Sequence, residues 1–494
     1  MSMRISKSKF VAGCQCVKRL YWQVHAPELA AQRGPATDAI IEQGREVGLL
    51  ARQLFPGGVE VCNDGGLDQA IRATQELVAN RDVPAIFEGT FEHGGVLVKV
   101  DILQRRRDGR WRLIEVKSTT DVRDHHLEDV AIQYRVLRRS GLDVASACLA
   151  HVNRGYVFDG QSIDPKQFFK IRNLTRRVVK LQPKLTFQLR AQFTVLSMRK
   201  APDIAPGRHC TDPVVCEFFQ RCNPPRPNDH IGYLPRLHAS AAEELEEMGI
   251  ESIRDIPDDF ELSETQRRAA KCVQTGEPWF SAELHDALGG LTYPLYFADF
   301  ETVNRAIPPF AGMRPYDHLP FQWSVHVQRA PESALEHYEF LATDASDLRR
   351  EFIRSLCGTL GESGSIVVYS SFESQRLSEL ASWFPEFADR INAIQARLFD
   401  LLPVVREHTY HPAYAGSYSI KSVLPALVPE MTYEGMEVAN GQDAGLAWES
   451  LVRGGLNDNE RERIDKALRA YCGQDTLAMV RLLEKLPQAD RCGR

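Results

Sequence analysis

The segment Val96-Leu-Val-Lys-Val-Asp-Ile-Leu and its follower Trp111-Arg-Leu-Ile-Glu-Val-Lys-Ser gather two carboxylates and an ammonium in a short stretch of chain. Side chains alternate across a strand, so Glu115 and Lys117 share one face, with Asp101 on the strand before them. Asp101, Glu115 and the Val116 carbonyl are the kind of oxygen donors that Mg²⁺ or Mn²⁺ takes while keeping several waters. Lys117 would orient or help activate an attacking water and stabilise charge on a phosphate. Glu88, in Ile86-Phe-Glu-Gly, can add a further ligand. Downstream, Leu127, Val130, Ala131, Tyr134 and Leu137 trace the apolar stripe of a helix. Asp129 and Gln133 lie on its other side, facing either the site or water; Gln133 is included among the candidate site residues.

A second acidic set lies far along the chain. Tyr296-Phe-Ala-Asp-Phe-Glu-Thr places Asp299 and Glu301 on one strand face. Ser370-Ser-Phe-Glu-Ser-Gln-Arg-Leu reads as a helix start carrying Glu373. In Ala470-Tyr-Cys-Gly-Gln-Asp-Thr-Leu, Tyr471 and Asp475 are one helical turn apart and project together. Four acids from separate elements can bind two cations bracketing a phosphodiester, with Tyr471 positioning the attacking water. Asp400 reads as a structural or supporting acid, and His408 and His411 lie in a stretch that reads as a loop, without an assigned role.

The cysteines form a third set. Cys210, Cys216 and Cys222 are separated by five residues each, in a loop-rich stretch. A tetrahedral zinc or a cubane iron–sulfur cluster needs four ligands, so one of Cys14 and Cys16 would complete the set. His209 could stand in as a zinc ligand. Cys62, Cys148, Cys272, Cys357, Cys472 and Cys492 are scattered and read as buried small hydrophobes.

These groups need scaffolds to position them. Asp108-Gly109 is a hairpin signal between the first two strands, and a further strand is expected over residues 145–158. The hairpin segment Gln104-Arg-Arg-Arg-Asp-Gly-Arg-Trp-Arg carries five arginines that could grip phosphates, and Trp111 could stack on a base. The break Cys222-Asn-Pro-Pro-Arg-Pro-Asn-Asp-His suits neither helix nor central strand. It divides the chain into residues 1–230, a helical linker over 231–287, and a second α/β unit over 288–494. The composition supports this: 494 residues, 43% hydrophobic and 26% charged, belong to a soluble globular chain of two or three domains. A net charge of −6 argues against a wholesale nucleic-acid coat, though not against a local basic channel. No apolar run is long enough to span a bilayer. Met1-Ser-Met-Arg-Ile-Ser-Lys has no apolar core behind it, so a signal peptide is not expected, no membrane partner is expected, and the location is read as cytoplasmic.

Acid, hairpin, Glu-x-Lys, helix and strand, in that order, resemble the core of the PD-(D/E)xK nucleases over about residues 5–225. The likeness is to the RecB-like branch, including AddB-type and CRISPR-associated adaptation nucleases. It implies a restriction-endonuclease-like domain whose 4Fe–4S cluster is held by cysteines at its two ends. On this resemblance, Lys7-Ser-Lys-Phe through Gln15-Cys16-Val-Lys-Arg-Leu-Tyr-Trp supplies Cys16 as partner to Cys210, Cys216 and Cys222. Two features depart from the family. The final cysteine spacing is five and five rather than two and five, and Gly44-Arg-Glu-Val-Gly48 stands where many relatives carry a metal-binding His.

Residues 290–488 are similar to the DnaQ-like, RNase H-fold 3′–5′ exonucleases of the tyrosine subtype, with Glu373 where that family has Asp. Gly416-Ser-Tyr-Ser-Ile-Lys-Ser-Val-Leu is similar to a helix of the same group. The two resemblances imply an α/β chain in which a PD-(D/E)xK domain and an RNase H-like domain are joined by the short helical linker. They imply a metal-dependent nuclease acting on DNA, exonucleolytic on single strands or duplex ends, with two active centres and a structural cluster, in repair, recombination or defence. An RNA-directed exonuclease and a degenerate nucleic-acid-binding scaffold are the alternatives.

Overall fold

The computed structural model describes residues 4–62 and 65–492, with side chains through Leu486. Met1 to Met3, and the side chain of Cys492, lie outside the described residues. The chain forms two compact units. One comprises Met1–Pro225 with Arg305–Asp317, the other Arg226–Asn304 with His318–Arg494.

The first unit is built on a seven-stranded mixed sheet of β1 (Ile5–Ser6), β2 (Val59–Glu60), β3 (Ala85–His93), β4 (Val96–Arg105), β5 (Trp111–Lys117), β6 (Val144–Val152) and β7 (Phe169–Asn173). The order is β2-β3-β4-β5-β6-β7, with β1 paired to β4. β4 and β5 form the expected hairpin, turning at Gly109, whose φ of 79° suits a residue without Cβ. The following strand ends at Val152, short of the expected 158, where Asn153 and Gly155 turn the chain. Val96, Val98, Val100, Trp111 and Leu113 on one sheet face pack against Leu127, Val130 and Ala131 of helix Asp124–Arg139.

β4 does not alternate throughout. Val100 faces that core, Ile102 faces the core on the opposite side, and Leu103 returns to the first. The pairing skips a residue on each strand here: Phe87 opposes Ile102 and Gly89 opposes Val100, leaving Glu88 and Asp101 between. Glu88 has a φ of 55°, the left-handed region that a side chain occupies at a cost. The double insertion turns Asp101 out of the regular pleat.

The second unit contains β8 (Trp279–Phe280), β9 (Leu295–Asn304), β10 (His318–Gln328), β11 (Leu335–Leu341), β12 (Ser365–Val368), β13 (Leu398–Asp400) and β14 (Thr409–Tyr410). Five of these form a mixed sheet, β11-β10-β9-β12-β13, antiparallel up to β9 and parallel beyond it. β9 is central, and its Tyr296, Ala298 and Phe300 enter a core with Phe352, Leu356 and Leu377. Asp299 and Glu301 therefore project from the other face, toward helices Gly441–Arg453 and Asp458–Cys492. Residues 231–287 cluster with the second unit, and β8 within them pairs with β14.

Candidate metal centres

In the first unit β5 carries Glu115 on the same face as Trp111 and Leu113, which buries its carboxylate beneath helix Asp124–Arg139; Glu115 is only 1% exposed. The facing helix presents Asp129 and Gln133, both buried, so they meet the site rather than water. Lys117 reaches Glu115 Oε1 at 2.7 Å and Asp129 Oδ2 at 2.6 Å. Gln133 Nε2 donates to Glu115 Oε2 at 2.6 Å, and the backbone N–H of Val116 donates to Asp101 Oδ2 at 2.7 Å.

Sequence reasoning missed one member of this site. Lys7, the first residue of helix Lys7–Gln15, bonds Glu115 Oε1 at 2.8 Å and pairs with Asp129 Oδ1 at 3.1 Å. Nothing in its local spacing separates it from an exposed lysine. Only the docking of β1 on β4 delivers it.

The charges divide unevenly. Burial works against an ionised Glu115, yet Lys117 and Lys7 outweigh it and hold the carboxyl well below its usual range. Burial and the neighbouring Glu115 charge push Asp101 up to about 7, against the pull of the lysines and the Val116 N–H. Both lysines are raised, because the surrounding carboxylates outweigh the cost of burying them. Glu88 is not gathered into the set. It pairs with Arg52 at 3.1 Å.

The second unit brings its acids closer. Asp299, Glu301 and Asp475 each offer an oxygen within 4.8 Å of the others, the one such set of three His, Cys, Asp or Glu ligands among the described residues. Asp475 also accepts from Tyr433 Oη at 2.6 Å. Lys421 donates to Tyr471 Oη at 3.1 Å and to the Ala439 carbonyl. Glu373 is buried at the start of helix Phe372–Trp383, and its Oε2 has no hydrogen-bond partner. Gly441 lies against the site, where an added Cβ would stand 3.3 Å from Glu301 Oε2.

Every acid here is raised. Burial, then Asp475, Glu301 and Glu373, lift Asp299 well above its ordinary value. Burial and Asp475 bring Glu301 to about 8, and burial with Asp400 brings Glu373 to about 8. Burial raises Asp475 against the donors Tyr433 and Tyr471 and the charge of Lys421. Lys421 lies in the Gly416–Leu424 stretch noted from sequence without being singled out, and Tyr433 gave no signal.

Cys16, Cys210, Cys216 and Cys222 line one small, mostly apolar cavity of the first unit, with Trp22 and Phe218. Gln15 ties the two cysteine segments, its Nε2 donating to the His209 and Val214 carbonyls, each at 2.7 Å. Cys14 is turned elsewhere, 3.7 Å from Gln192 Nε2, with its thiol raised by burial. The set supplies four thiols. No three of its sulfurs, with or without His209, come within 4.8 Å of one another, whereas tetrahedral zinc at Zn–S distances of about 2.3 Å requires closer approach. Of the scattered cysteines, Cys148, Cys272, Cys357 and Cys472 are buried, but Cys62 is exposed.

Other expectations need correction. Trp111 is buried, with the Arg105 guanidinium 4.1 Å from its ring centroid, so it is not available to stack on a base. Arg105 itself is held by the carbonyls of Val78, Asn80 and Val83. His408 ends a helix and meets Ser281 Oγ at 2.9 Å, and His411 caps the turn Pro412–Tyr414. Asp400, by contrast, takes the structural role read from the sequence, capping helix Leu401–His408 through the Leu402 N–H.

Comparisons with known proteins place limited information beside this geometry. A family model described as a domain of unknown function (DUF2779) matches residues 296–419, a stretch with Asp299, Glu301 and Glu373 but not Asp475. The uncharacterized protein UU173 of Ureaplasma parvum is 25% identical over 210 residues, covering 38% of this chain and 30% of its own length. The uncharacterized protein MG366 of Mycoplasma genitalium is 26% identical over 208 residues, covering 38% of this chain and 31% of its own. The chain thus matches less than a third of the length of either relative. Among solved structures, the crystal structure of SSO0001 matches 38% of this chain and 77% of its own at 13% identity, with a TM-score of 0.20, too slight a likeness to bear on the fold. No helix among the described residues is long and apolar enough to cross a membrane.

Proposed function

We propose that the chain is a divalent-metal-dependent nuclease hydrolysing phosphodiester bonds, with a PD-(D/E)xK-type centre in the first unit and an RNase H-like exonuclease centre in the second. The observation that carries this reading is the convergence of a half-buried Asp299 and a buried Glu301 from a central strand with a buried Asp475 from a distant helix into one acidic set. Four acids with raised proton affinities, three of them buried, form a costly arrangement that cations would relieve. Such sets recur where metal ions bracket a phosphodiester.

In the second centre Asp299, Glu301 and Asp475 would hold Mg²⁺ or Mn²⁺, with Glu373 as a fourth acid. Tyr471, anchored by Lys421, would orient water. In the first, Asp101, Glu115 and the Val116 carbonyl would hold the ion, and Lys117 would face the phosphate. A bound divalent ion supplies Lewis acidity and makes water more acidic. Cys16, Cys210, Cys216 and Cys222 are four thiols lining one cavity, the donor number and kind that a 4Fe–4S cluster needs. Its role would be to join the two ends of the first unit. DNA, as single strands or duplex ends, is the proposed substrate, with RNA the alternative.

Incubation of labelled DNA and RNA with Mg²⁺ or Mn²⁺, beside Asp101→Ala and Asp299→Ala, tests the proposal. Cleavage reduced by either substitution is expected. Cleavage indifferent to both removes the site assignments, and no cleavage of any substrate favours a binding scaffold. Brown, iron-containing protein after anaerobic purification is expected for the cysteine set. Colourless protein with zinc removes the cluster.

A further inference from the structure

Both carboxylate oxygens of Glu115 are committed within the protein. Oε1 receives Lys117 at 2.7 Å and Lys7 at 2.8 Å, and Oε2 receives Gln133 at 2.6 Å. Oε1 already accepts two ammonium groups, one for each lone pair, so a divalent ion can take that oxygen only if one of the lysines yields. Of the lysines, Lys117 holds the tighter grip, because its contact to Asp129 is 2.6 Å against 3.1 Å for Lys7.

The two lysines also arrive by different routes. Lys117 stands on β5 itself, two residues from Glu115, and its backbone is held in register with His151 of β6. Lys7 comes from the N-terminal helix Lys7–Gln15, whose far end is fixed by the Gln15 bonds to His209 and Val214. Its side chain is 18% exposed.

We propose that Lys7 is a resident cation of the first centre, a positioning residue that neutralises Glu115 and Asp129 until a divalent ion arrives and displaces it from Glu115. This rests on the metal-binding reading of that centre and assigns to it a residue from outside the hairpin and helix that define it. Lys7 would hold Glu115 and Asp129 at their present spacing while no divalent ion is bound. It would set a threshold for metal uptake at Oε1, because the ion must break the Lys7–Glu115 bond before it can take that oxygen. Once displaced, the ammonium would stay near Asp129.

The sign of the effect separates this role from a structural one. Removing a displaceable ammonium leaves the acids more negative, so the ion should bind more tightly. Damage to the site would weaken it. The experiment is Mn²⁺ titration of the full-length chain, followed by electron paramagnetic resonance, in an Asp299→Asn, Asp475→Asn background that silences the second centre. Lys7→Met is expected to bind Mn²⁺ roughly tenfold more tightly than the same chain with Lys7, the worth of one charge-assisted hydrogen bond. Lys7→Arg is expected to stay near the parent value.

Unchanged or weaker binding in Lys7→Met overturns the proposal. Mn²⁺ binding that Glu115→Gln does not reduce overturns the underlying reading of the centre instead. Should Lys7→Met fail to fold by circular dichroism, a crystal structure of the unaltered chain with Mn²⁺ decides. Lys7 Nζ withdrawn from Glu115 is expected, and Lys7 still bonded to Glu115 beside a bound ion refutes the proposal.

Discussion

Asp101, Glu115 and Asp129 share their pocket with Lys7 and Lys117, both in direct contact with the carboxylates. Asp299, Glu301, Glu373 and Asp475 form no ion pair among the described residues. Lys421 is spent on Tyr471 and a backbone carbonyl, and Arg376 on Glu379. The proton affinities follow. Lysines hold Glu115 down, while the second set is raised throughout. In the first centre Glu115 and Asp129 are thus offset by the fold's own lysines, with Asp101 outside those pairs, whereas the second stores repulsion that an external cation would release. Similar acids, placed with or without resident ammonium groups, should depend on metal to very different degrees.

The largest expected effect is on the second centre's chemistry. Asp299→Ala should reduce its metal-dependent cleavage by more than about 100-fold, beyond the loss typical of an outer supporting residue. A decrease of only a few-fold in initial rate would remove Asp299 from the metal-binding set. Next is stability: millimolar Mg²⁺ or Mn²⁺ should raise the melting temperature of the second unit by roughly 5–10 °C. The first unit should gain less, because Glu115 and Asp129 are already paired with lysines. Calorimetry showing equal gains in the two units, or a larger gain in the first, breaks the comparison.

The pH dependence has a definite sign. Glu301 and Glu373 titrate near 8 in the folded chain, well above an unfolded glutamate at about 4.3. Groups raised on folding contribute stability that is fully present below the unfolded value and lost as pH rises through the folded one. Metal-free protein should therefore melt lower at pH 9 than at pH 6, by roughly 5 °C, and saturating Mg²⁺ should flatten the profile. A melting point that rises over this range would contradict the charge assignment. The smallest effect belongs to Tyr433→Phe, which removes one donor from Asp475. It should weaken Mn²⁺ binding about tenfold and cost about 1 kcal/mol of stability, as read by titration and denaturant melts.

Much of the second centre was legible because its signal is local. Period-two alternation put Asp299 and Glu301 on one face of β9, and a four-residue helical step put Tyr471 beside Asp475. The hairpin carrying Glu115 and Lys117 was legible for the same reason. Lys7 and Tyr433 were not placed, because each reaches its site through tertiary docking that leaves no periodic trace; helical periodicity gave Asp129 its face but not whether that face meets the site or water. Asp101 shows the limit of counting along a strand. The paired insertion at Glu88 and Asp101 breaks the alternation, so its orientation depends on β3 as much as on β4. Trp111 misled for a related reason: beside a run of arginines it looked exposed, yet Arg105 covers it and the sheet buries it.

Whether buried acids in the second unit seat divalent ions is tested most directly by Mn²⁺ soaked into crystals of the full chain and located by anomalous scattering. A peak bounded by Asp299, Glu301 and Asp475, at about 2.1 Å from their oxygens, is the predicted result. Anomalous density absent from that pocket, with manganese bound elsewhere, would contradict it.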